Sequence, residues 1–415
     1  VVDAYIRRRV IAYLEALGER LHGLGFGGEV ALIQSNGGAI GLSRVARAPS
    51  VLCLSGPAAG IGAMRYYGRL CGSDDLITME IGGTSCDVSM LQSGRAQLID
   101  GFGIGGHHVG LSAIDIHTVG AGGGTIARVD EAGLLRCGPQ GAGAAPGPAA
   151  YGRGGNDATT TDALVVLGRM RAGPIGDGSV VIDPVRARAA CAERVAGPLG
   201  LDIEEAAIGI VQLLEQNLLH AVEEISVKRG LNPARYTLIA AGGAGPMHGA
   251  TVGRALGCRR VYVPRHAGAF CALGMLDSDI RHDLYRVFDA PLGDEAMAAL
   301  PASFAELAAT ALEEVGGEAA ASPPSLRRVL DLVYKGQMRS VQVDYEPGQD
   351  DIASLKGRFE SEHRRLYGHI KPITPIRIAA LRVVATVPAS ALAVPERAEA
   401  AGTPRAAEMR RVFID

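Results

Sequence analysis

Residues 79–90 read MEIGGTSCDVSM, and this stretch decides the fold. The apolar run at 76–81 predicts a buried strand, and residues 86–91 predict a second strand that returns beside it. Between them, GGTS at 82–85 predicts a tight turn. Adjacent glycines let backbone N–H groups approach a polyanion closely, and the two hydroxyl groups add donors. The stretch therefore predicts a phosphate-holding hairpin, although an ordinary glycine turn would explain GGTS taken alone.

Two carboxylate side chains flank this turn. Glu80 lies one residue before the end of the first predicted strand, and Asp87 lies one residue after the start of the second. Carboxylate oxygens can hold a metal ion, and a carboxylate can also position a water molecule. Glu80 and Asp87 are therefore candidates both for catalysis and for metal binding.

The composition limits the classes of partner. The chain has 415 residues, of which 41 are Lys or Arg and 44 are Asp or Glu, for a formal net charge of −3. This balance gives no electrostatic support for binding nucleic acid or an anionic membrane. The sequence contains neither an apolar run long enough to span a bilayer nor a signal-peptide pattern at its start. We therefore expect no nucleic acid or membrane partner.

The cysteines indicate a reducing compartment. There are seven, widely scattered, and none forms a C-x-x-C pair. An odd, scattered set is typical of reduced thiols rather than of a disulfide framework, and it argues against a structural zinc site. These features predict a cytoplasmic protein.

The order of predicted elements indicates the domains. Strands and helices alternate up to about residue 285, which predicts a layered α/β core at 1–285. Residues 286–388 predict a smaller α+β domain, and the Ala/Pro/Glu-rich stretch 389–415 predicts a tail or linker. The chain opens inside an amphipathic helix at 2–24, from which we expect a fragment of a longer chain.

Several glycine-rich motifs occur in a fixed order along the chain. They are IQSNGG (33–38), LSGPAAG (54–60), MEIGGTSCDV (79–88), IDIHTVGAGGGTIARVD (114–130), GPQGAGAAPGPAAYGRGG (138–155), TTTDALVVLGR (159–169), SVKRG (226–230) and AAGGAGPMHG (240–249). Together they resemble the hydantoinase A/5-oxoprolinase family, which includes N-methylhydantoinase A and the related subunits of acetone and acetophenone carboxylases. The resemblance reaches to about residue 388. It implies an α/β fold, namely a ribonuclease-H-like lobe of the actin/Hsp70/sugar-kinase superfold with a smaller C-terminal α+β domain.

The same resemblance implies a site for ATP and Mg²⁺, with a further divalent metal as an open possibility. Residues 79–90 would hold phosphate, the loop at 242–245 would lie against the nucleoside, and Glu80 and Asp87 would bind the metal. The implied nucleotide-binding residues are Gly82, Gly83, Thr84, Ser85, Gly122, Gly123, Gly242, Gly243 and Gly245.

The sequence departs from the family pattern at several points. It lacks the first D-x-G-G-T phosphate loop, so we expect the N-terminal lobe to be missing from this chain or supplied by another. Glu80 stands where aspartate is common, and Cys86 stands where threonine is usual. The family's CYG becomes AYG at 150–152, which excludes a mechanism that needs a thiol there.

Asp115 and His117 are a second pair of candidate catalytic residues. They lie two residues apart, so on a continuous strand both side chains would point to one face. With His107, His108 or His248 they would form a divalent-metal site or a proton shuttle. Alternatively, His117 is a hydrogen-bonded structural histidine beside the glycine loop. The sequence leaves both interpretations open.

The function implied by the resemblance is an ATP-dependent hydrolase component. It would open a cyclic amide, such as a hydantoin, 5-oxoproline or a related lactam, by phosphoryl activation of the carbonyl. The alternatives are an ATP-dependent ketone carboxylase subunit and a non-catalytic fragment or scaffold of such a complex. A hydantoinase B-type subunit or domain and an oligomeric assembly are the expected partners.

Overall fold

The structure is a computed structural model that describes residues 2–104, 106–316, 323–390, 392–393, 409 and 411–414. Its α-helices are α1 (Val2–Gly23), α2 (Leu42–Val45), α3 (Ser55–Cys71), α4 (Thr160–Val166), α5 (Pro184–Cys191), α6 (Gly197–Leu199), α7 (Ile203–Ile225), α8 (Gly245–Ala255), α9 (Phe270–Leu276), α10 (Asp294–Gly316) and α11 (Ile352–Tyr367). Within the described ranges, no helix combines the length and apolarity that a bilayer crossing requires.

The strands are mostly short and fall into several sheets. They are β1 (Ala31–Ile33), β2 (Ala39–Gly41), β3 (Leu76–Ile81), β4 (Cys86–Gln92), β5 (Arg95–Ala96), β6 (Leu98–Ile99), β7 (Phe102–Ile104), β8 (His107–Val109), β9 (Ala113–Ile114), β10 (His117–Val119), β11 (Thr125–Val129), β12 (Leu135–Gly141), β13 (Gly173–Ile175), β14 (Val180–Ile182), β15 (Thr237–Ala241), β16 (Arg260–Tyr262), β17 (Ile280–Pro291), β18 (Ser325–Tyr334), β19 (Val341–Asp344) and β20 (Ile376–Val387).

The described residues divide into two compact units. Unit 1 comprises those within Val1–Cys53 and Ser278–Ala391, and unit 2 those within Leu54–Asp277 and Leu392–Asp415. The sequence-based division at 285 and 388 is sequential and stays a prediction, whereas the structural units join distant segments. Most of the predicted tail at 389–415 lies outside the described residues.

Unit 1 contains a six-stranded sheet in the order β1-β2-β17-β20-β18-β19. The long strands β17 and β20 pair antiparallel and place distant parts of the chain side by side. Helices α10 and α11 contribute Phe304 and Phe359 to its core, which also contains Leu330 and Tyr334 of β18. The N-terminal segment joins this sheet where Ala39 of β2 pairs with Ile280 of β17, so the unit does not follow the order of the chain.

Unit 2 contains a six-stranded sheet whose main path is β10-β4-β3-β15-β16, with β5 paired to β4. Strands β3, β4 and β10 are antiparallel neighbours, whereas β15 and β16 run parallel to β3. This mixed order agrees with the ribonuclease-H-like lobe that the sequence resemblance implies, and the α/β fold class is confirmed.

The two faces of β3 have different roles. Ile77, Met79 and Ile81 pack into a core with Leu214 and Leu218 of α7. Because successive side chains on a strand alternate between faces, the intervening residues point away from α7. The sheet therefore has one largely apolar face and one face that is free to carry polar groups.

Helices α3 and α9 pack through bare backbone. A Cβ on Gly274 would lie 1.9 Å from the Ala59 carbonyl oxygen, and one on Gly62 would lie 2.1 Å from the Gly274 carbonyl oxygen. Leu54 occupies the N-cap position of α3 with φ 62 and forms no side-chain cap bond. The chain turns through the left-handed conformation at Leu54, so Ser55 is already helical.

The α3–α9 contact leads to a prediction about stability. Gly274→Ala should lower the free energy of unfolding by about 1–3 kcal/mol, because the added methyl must push the two helices apart. Gly56→Ala is the matched control, since a Cβ at Gly56 of α3 meets nothing within 4 Å and alanine favours the helix. Urea unfolding of both variants measures the difference. Equal midpoints would contradict the close packing.

Candidate functional site

The hairpin of β3 and β4 places two carboxylates side by side. The antiparallel register pairs Glu80 directly with Asp87. The Gly82 N–H donates to the Ser85 carbonyl oxygen at 2.9 Å and closes the turn. Both acidic side chains lie on the face away from α7, because their neighbours Met79 and Val88 belong to the apolar core. The predicted strand–turn–strand is confirmed.

The tip of the turn is open to solvent. Gly82, Gly83 and Thr84 are exposed and Ser85 is half-buried. A Cβ on Gly83 would meet nothing within 4 Å. A ligand can therefore approach the backbone of the turn without displacing protein atoms.

A second glycine loop supports the turn from inside the protein. The Gly123 N–H donates to the Gly82 carbonyl oxygen at 3.0 Å, and the Gly124 N–H donates to the Gly83 carbonyl oxygen at 2.7 Å. A Cβ on Gly122 would lie 2.8 Å from the Gly82 carbonyl oxygen. Gly122 and Gly123 are buried. Their role in nucleotide binding stays a prediction, and these contacts give them a role in holding the turn.

A third loop leaves the sheet beside the turn. Strand β15 runs parallel to β3 with Ala241 paired to Glu80, so residues 242–245 and the turn emerge at the same edge. Gly242 has φ +80, and its Cβ would lie 2.3 Å from the Ile81 carbonyl oxygen. Gly245 is also buried, whereas Gly243 is exposed. Ligands of α/β sheets commonly bind at the carboxyl ends of strands, and Gly243 is the predicted residue of this loop that faces solvent there.

Each carboxylate of the pair accepts one side-chain hydrogen bond. The Cys271 thiol donates to Glu80 Oε2 at 2.8 Å, and the Thr118 hydroxyl donates to Asp87 Oδ1 at 2.5 Å. Burial raises the pKa of Glu80, the thiol hydrogen bond partly offsets this shift, and the negative charge of Asp87 adds to it. Burial likewise raises the pKa of Asp87, against the hydrogen bond from Thr118. A divalent cation between the carboxylates would favour their charged forms.

The donor set suits Mg²⁺ better than a metal held by protein alone. Within the described residues, no group of three or more His, Cys, Asp or Glu side chains could hold a metal ion. Mg²⁺ commonly takes one or two carboxylates and completes its shell with waters and phosphate oxygens. Metal binding by Glu80 and Asp87 stays a prediction that the chemistry of these two groups supports.

The structure does not bring Asp115 and His117 to this pair. Asp115 lies between β9 and β10 and forms an ion pair with Arg229. His117 pairs in register with Val88, so its side chain points to the α7 face. The expected shared face required a continuous strand, and the chain leaves the strand at 115–116. A catalytic role for either residue stays a prediction.

Two residues that contact the pair were missed by the sequence analysis. Thr118 is the register partner of Asp87, and strand alternation would have selected it once β10 was known to pair with β4. Cys271 lies 191 positions from Glu80, and no local pattern signals that contact.

The sequence of the chain is similar to those of known proteins. A family profile described as hydantoinase/oxoprolinase matches residues 1–284. The alpha subunit of caprolactamase from Pseudomonas jessenii is 32% identical over 414 residues, which are 97% of this chain and 59% of that subunit. The chain thus spans about three-fifths of the length of this curated relative.

Solved structures share the fold. The crystal structure of the ATP-dependent caprolactamase from Pseudomonas jessenii has a TM-score of 0.77 at 30% identity. The matched region is 96% of this chain and 60% of the caprolactamase chain. The nucleotide-free structure of acetone carboxylase has a TM-score of 0.74 at 26% identity. The matched region is 90% of this chain and 55% of the acetone carboxylase chain.

The thiols of unit 1 and unit 2 are not activated. All seven cysteines are free. Burial raises the pKa of Cys137 and Cys258 to about 11 and that of Cys191 to about 12. It also raises the pKa of the remaining four. A nucleophilic cysteine needs a lowered pKa, so none of these thiols is suited to attack a substrate.

Thiol reactivity should follow from these shifts. At pH 8, native Cys137 should react with iodoacetamide roughly 100-fold more slowly than a free thiol, because its pKa of about 11 against the ordinary 9.0 leaves far less thiolate. Mass spectrometry of timed, quenched samples measures the rate at each cysteine. Urea-unfolded protein is the control. Native labelling as fast as in urea would contradict the expected protection.

Proposed function

The chain belongs to the hydantoinase/oxoprolinase family, and we propose that it supplies the nucleotide-binding part of an ATP-dependent enzyme that opens a cyclic amide. The observation that carries the proposal is the exposed turn at 82–85 between the opposed carboxylates of Glu80 and Asp87. The match to a caprolactamase subunit across 97% of the chain supports the substrate class. We propose a hydantoin, 5-oxoproline or a related lactam.

The proposed site would offer the groups that phosphoryl transfer needs. Bound ATP would supply a phosphoryl group to the amide carbonyl oxygen and so create a good leaving group. Gly82, Gly83, Thr84 and Ser85 would hold phosphate oxygens through backbone N–H and hydroxyl donors. Glu80 and Asp87 would hold Mg²⁺. Phosphoryl transfer depends mainly on positioning and charge stabilisation, which agrees with a site whose nearby thiols are not activated.

We assign the steps that follow phosphoryl activation to a partner subunit or domain. The caprolactamase relative is named as an alpha subunit, which supports a second subunit in that complex. We propose that a hydantoinase B-type subunit or domain acts on the activated intermediate and that the assembly is oligomeric. The seven free cysteines support a reducing compartment such as the cytoplasm.

A ketone carboxylase is the second candidate. The similarity to acetone carboxylase over 90% of the chain favours it. The same nucleotide site would serve both reactions, because bicarbonate and the enol of a ketone also need phosphoryl activation. A scaffold without nucleotide binding is the third outcome, and the next experiment identifies it.

Nucleotide binding should depend on the open face of Gly83. With Mg²⁺ and a non-hydrolysable ATP analogue, the parent should give a binding isotherm by calorimetry. The affinity of Gly83→Val for the analogue should be at least tenfold lower. The branched side chain would occupy the space that phosphate needs. Because a Cβ at Gly83 meets nothing within 4 Å, the variant should fold normally.

The matched control is Gly103→Val, since a Cβ at Gly103 in strand β7 also meets nothing within 4 Å. Gly103→Val should bind the analogue as the parent does. If Gly83→Val binds as tightly as the control, nucleotide is not held at the turn. If the parent does not bind, the scaffold interpretation replaces the catalytic one.

The substrate class can be tested with the assembled complex. Together with its B-type subunit, the chain should hydrolyse ATP faster when a lactam is added, and the ring-opened amino acid should appear in step with phosphate. Ketone plus bicarbonate is the parallel arm. Stimulation by that pair alone, with a carboxylated product, would identify the carboxylase instead. Phosphate release and product mass spectrometry read both arms.

A further inference from the structure

Asp87 and Glu80 are each held by a donor from another part of the fold. Thr118 of β10 donates to Asp87 Oδ1 at 2.5 Å, and Cys271 of α9 donates to Glu80 Oε2 at 2.8 Å. Neither donor belongs to the hairpin that carries the carboxylates. The orientation of both acidic groups therefore depends on elements outside the phosphate turn.

The contact between Cys271 and Glu80 lies beside Gly60 of α3. A Cβ on Gly60 would lie 3.4 Å from Cys271 Sγ and 3.8 Å from Glu80 Oε2. Helix α9 is in turn held against α3 by the close backbone contact at Gly62 and Gly274. The thiol is therefore placed against the carboxylate by the packing of two helices.

The contact between Thr118 and Asp87 depends on strand pairing. Thr118 and Asp87 are register partners in β10 and β4, so their side chains share a face of the sheet. Thr118 is exposed. A hydrogen bond at such a surface contributes little to folding, because water can replace the lost partner.

We propose that Thr118 and Cys271 are positioning residues that orient Asp87 and Glu80 for Mg²⁺, an inference that rests on the proposed nucleotide site. Each donor engages one carboxylate oxygen and leaves the other oxygen available to an ion. Both donors would act through the carboxylates and not as metal ligands. Hydrogen bonds to metal-binding carboxylates fix their direction, and loss of such a partner typically weakens metal binding 10- to 100-fold.

The test is a Mg²⁺ titration of nucleotide binding in matched pairs of variants. Thr118→Val and Cys271→Ala remove the donor, whereas Thr118→Ser and Cys271→Ser retain a hydroxyl donor. A fluorescent ATP analogue reports binding with Mg²⁺ and with EDTA. Thr118→Val and Cys271→Ala should weaken the apparent Mg²⁺ affinity by about tenfold or more, and both serine variants should stay near the parent. Affinity in EDTA should be the same for all.

The outcomes separate the two proposals. If the parent shows Mg²⁺-dependent binding and Thr118→Val matches it, the positioning role is overturned while the nucleotide site stands. Serine variants as weak as Thr118→Val and Cys271→Ala would also overturn it, since shape rather than donation would then matter. A parent without Mg²⁺-dependent binding would overturn both proposals. Thermal unfolding midpoints control for folding, and the exposed Thr118 pair decides if Cys271→Ala does not fold.

Discussion

Close approach of backbone to backbone around the turn at 82–85 is the constraint on which the site depends. Positions 122, 124 and 242 lie where an added Cβ would come within 3 Å of the backbone of residues 81–83. Real side chains do not tolerate such distances, so glycine is required there. The glycine loops that surround the hairpin therefore support it, and only the exposed tip is left for a ligand. Much of the glycine density that marks this sequence reflects packing rather than direct recognition.

That packing places two carboxylates on one face of a sheet whose opposite face packs mostly apolar side chains against α7. The raised pKa values of Glu80 and Asp87 record the cost of charging both in a partly buried place. Two hydrogen-bond donors offset this cost only in part. A cation bound between the two carboxylates would stabilise their charged forms against both burial and mutual repulsion. The raised pKa values of Glu80 and Asp87 therefore support the proposed Mg²⁺ site.

The sequence predicted what is local and missed what depends on distant contacts. The β3 and β4 hairpin follows from alternation and two adjacent glycines, and both carboxylates follow from it. The pairing of Asp115 with His117 relied on a continuous strand, which the chain interrupts at 115–116. Cys271 reaches Glu80 because α9 packs against α3, and no periodic pattern in the sequence predicts that contact. The membership of unit 1 depends on the pairing of β2 with β17, which a reading in chain order does not reveal.

The register of the β3–β4 hairpin depends on the length of its turn. Because Glu80 faces Asp87 across the strands, one residue inserted between them would turn every later side chain of β4 to the other face. Asp87 would then enter the apolar core opposite Met79, and Cys86 would take its place beside Glu80. Substitution libraries at 82–85 can therefore vary chemistry freely at constant length. Libraries that vary loop length would exchange a charged residue for a hydrophobic one at the site without mutating either.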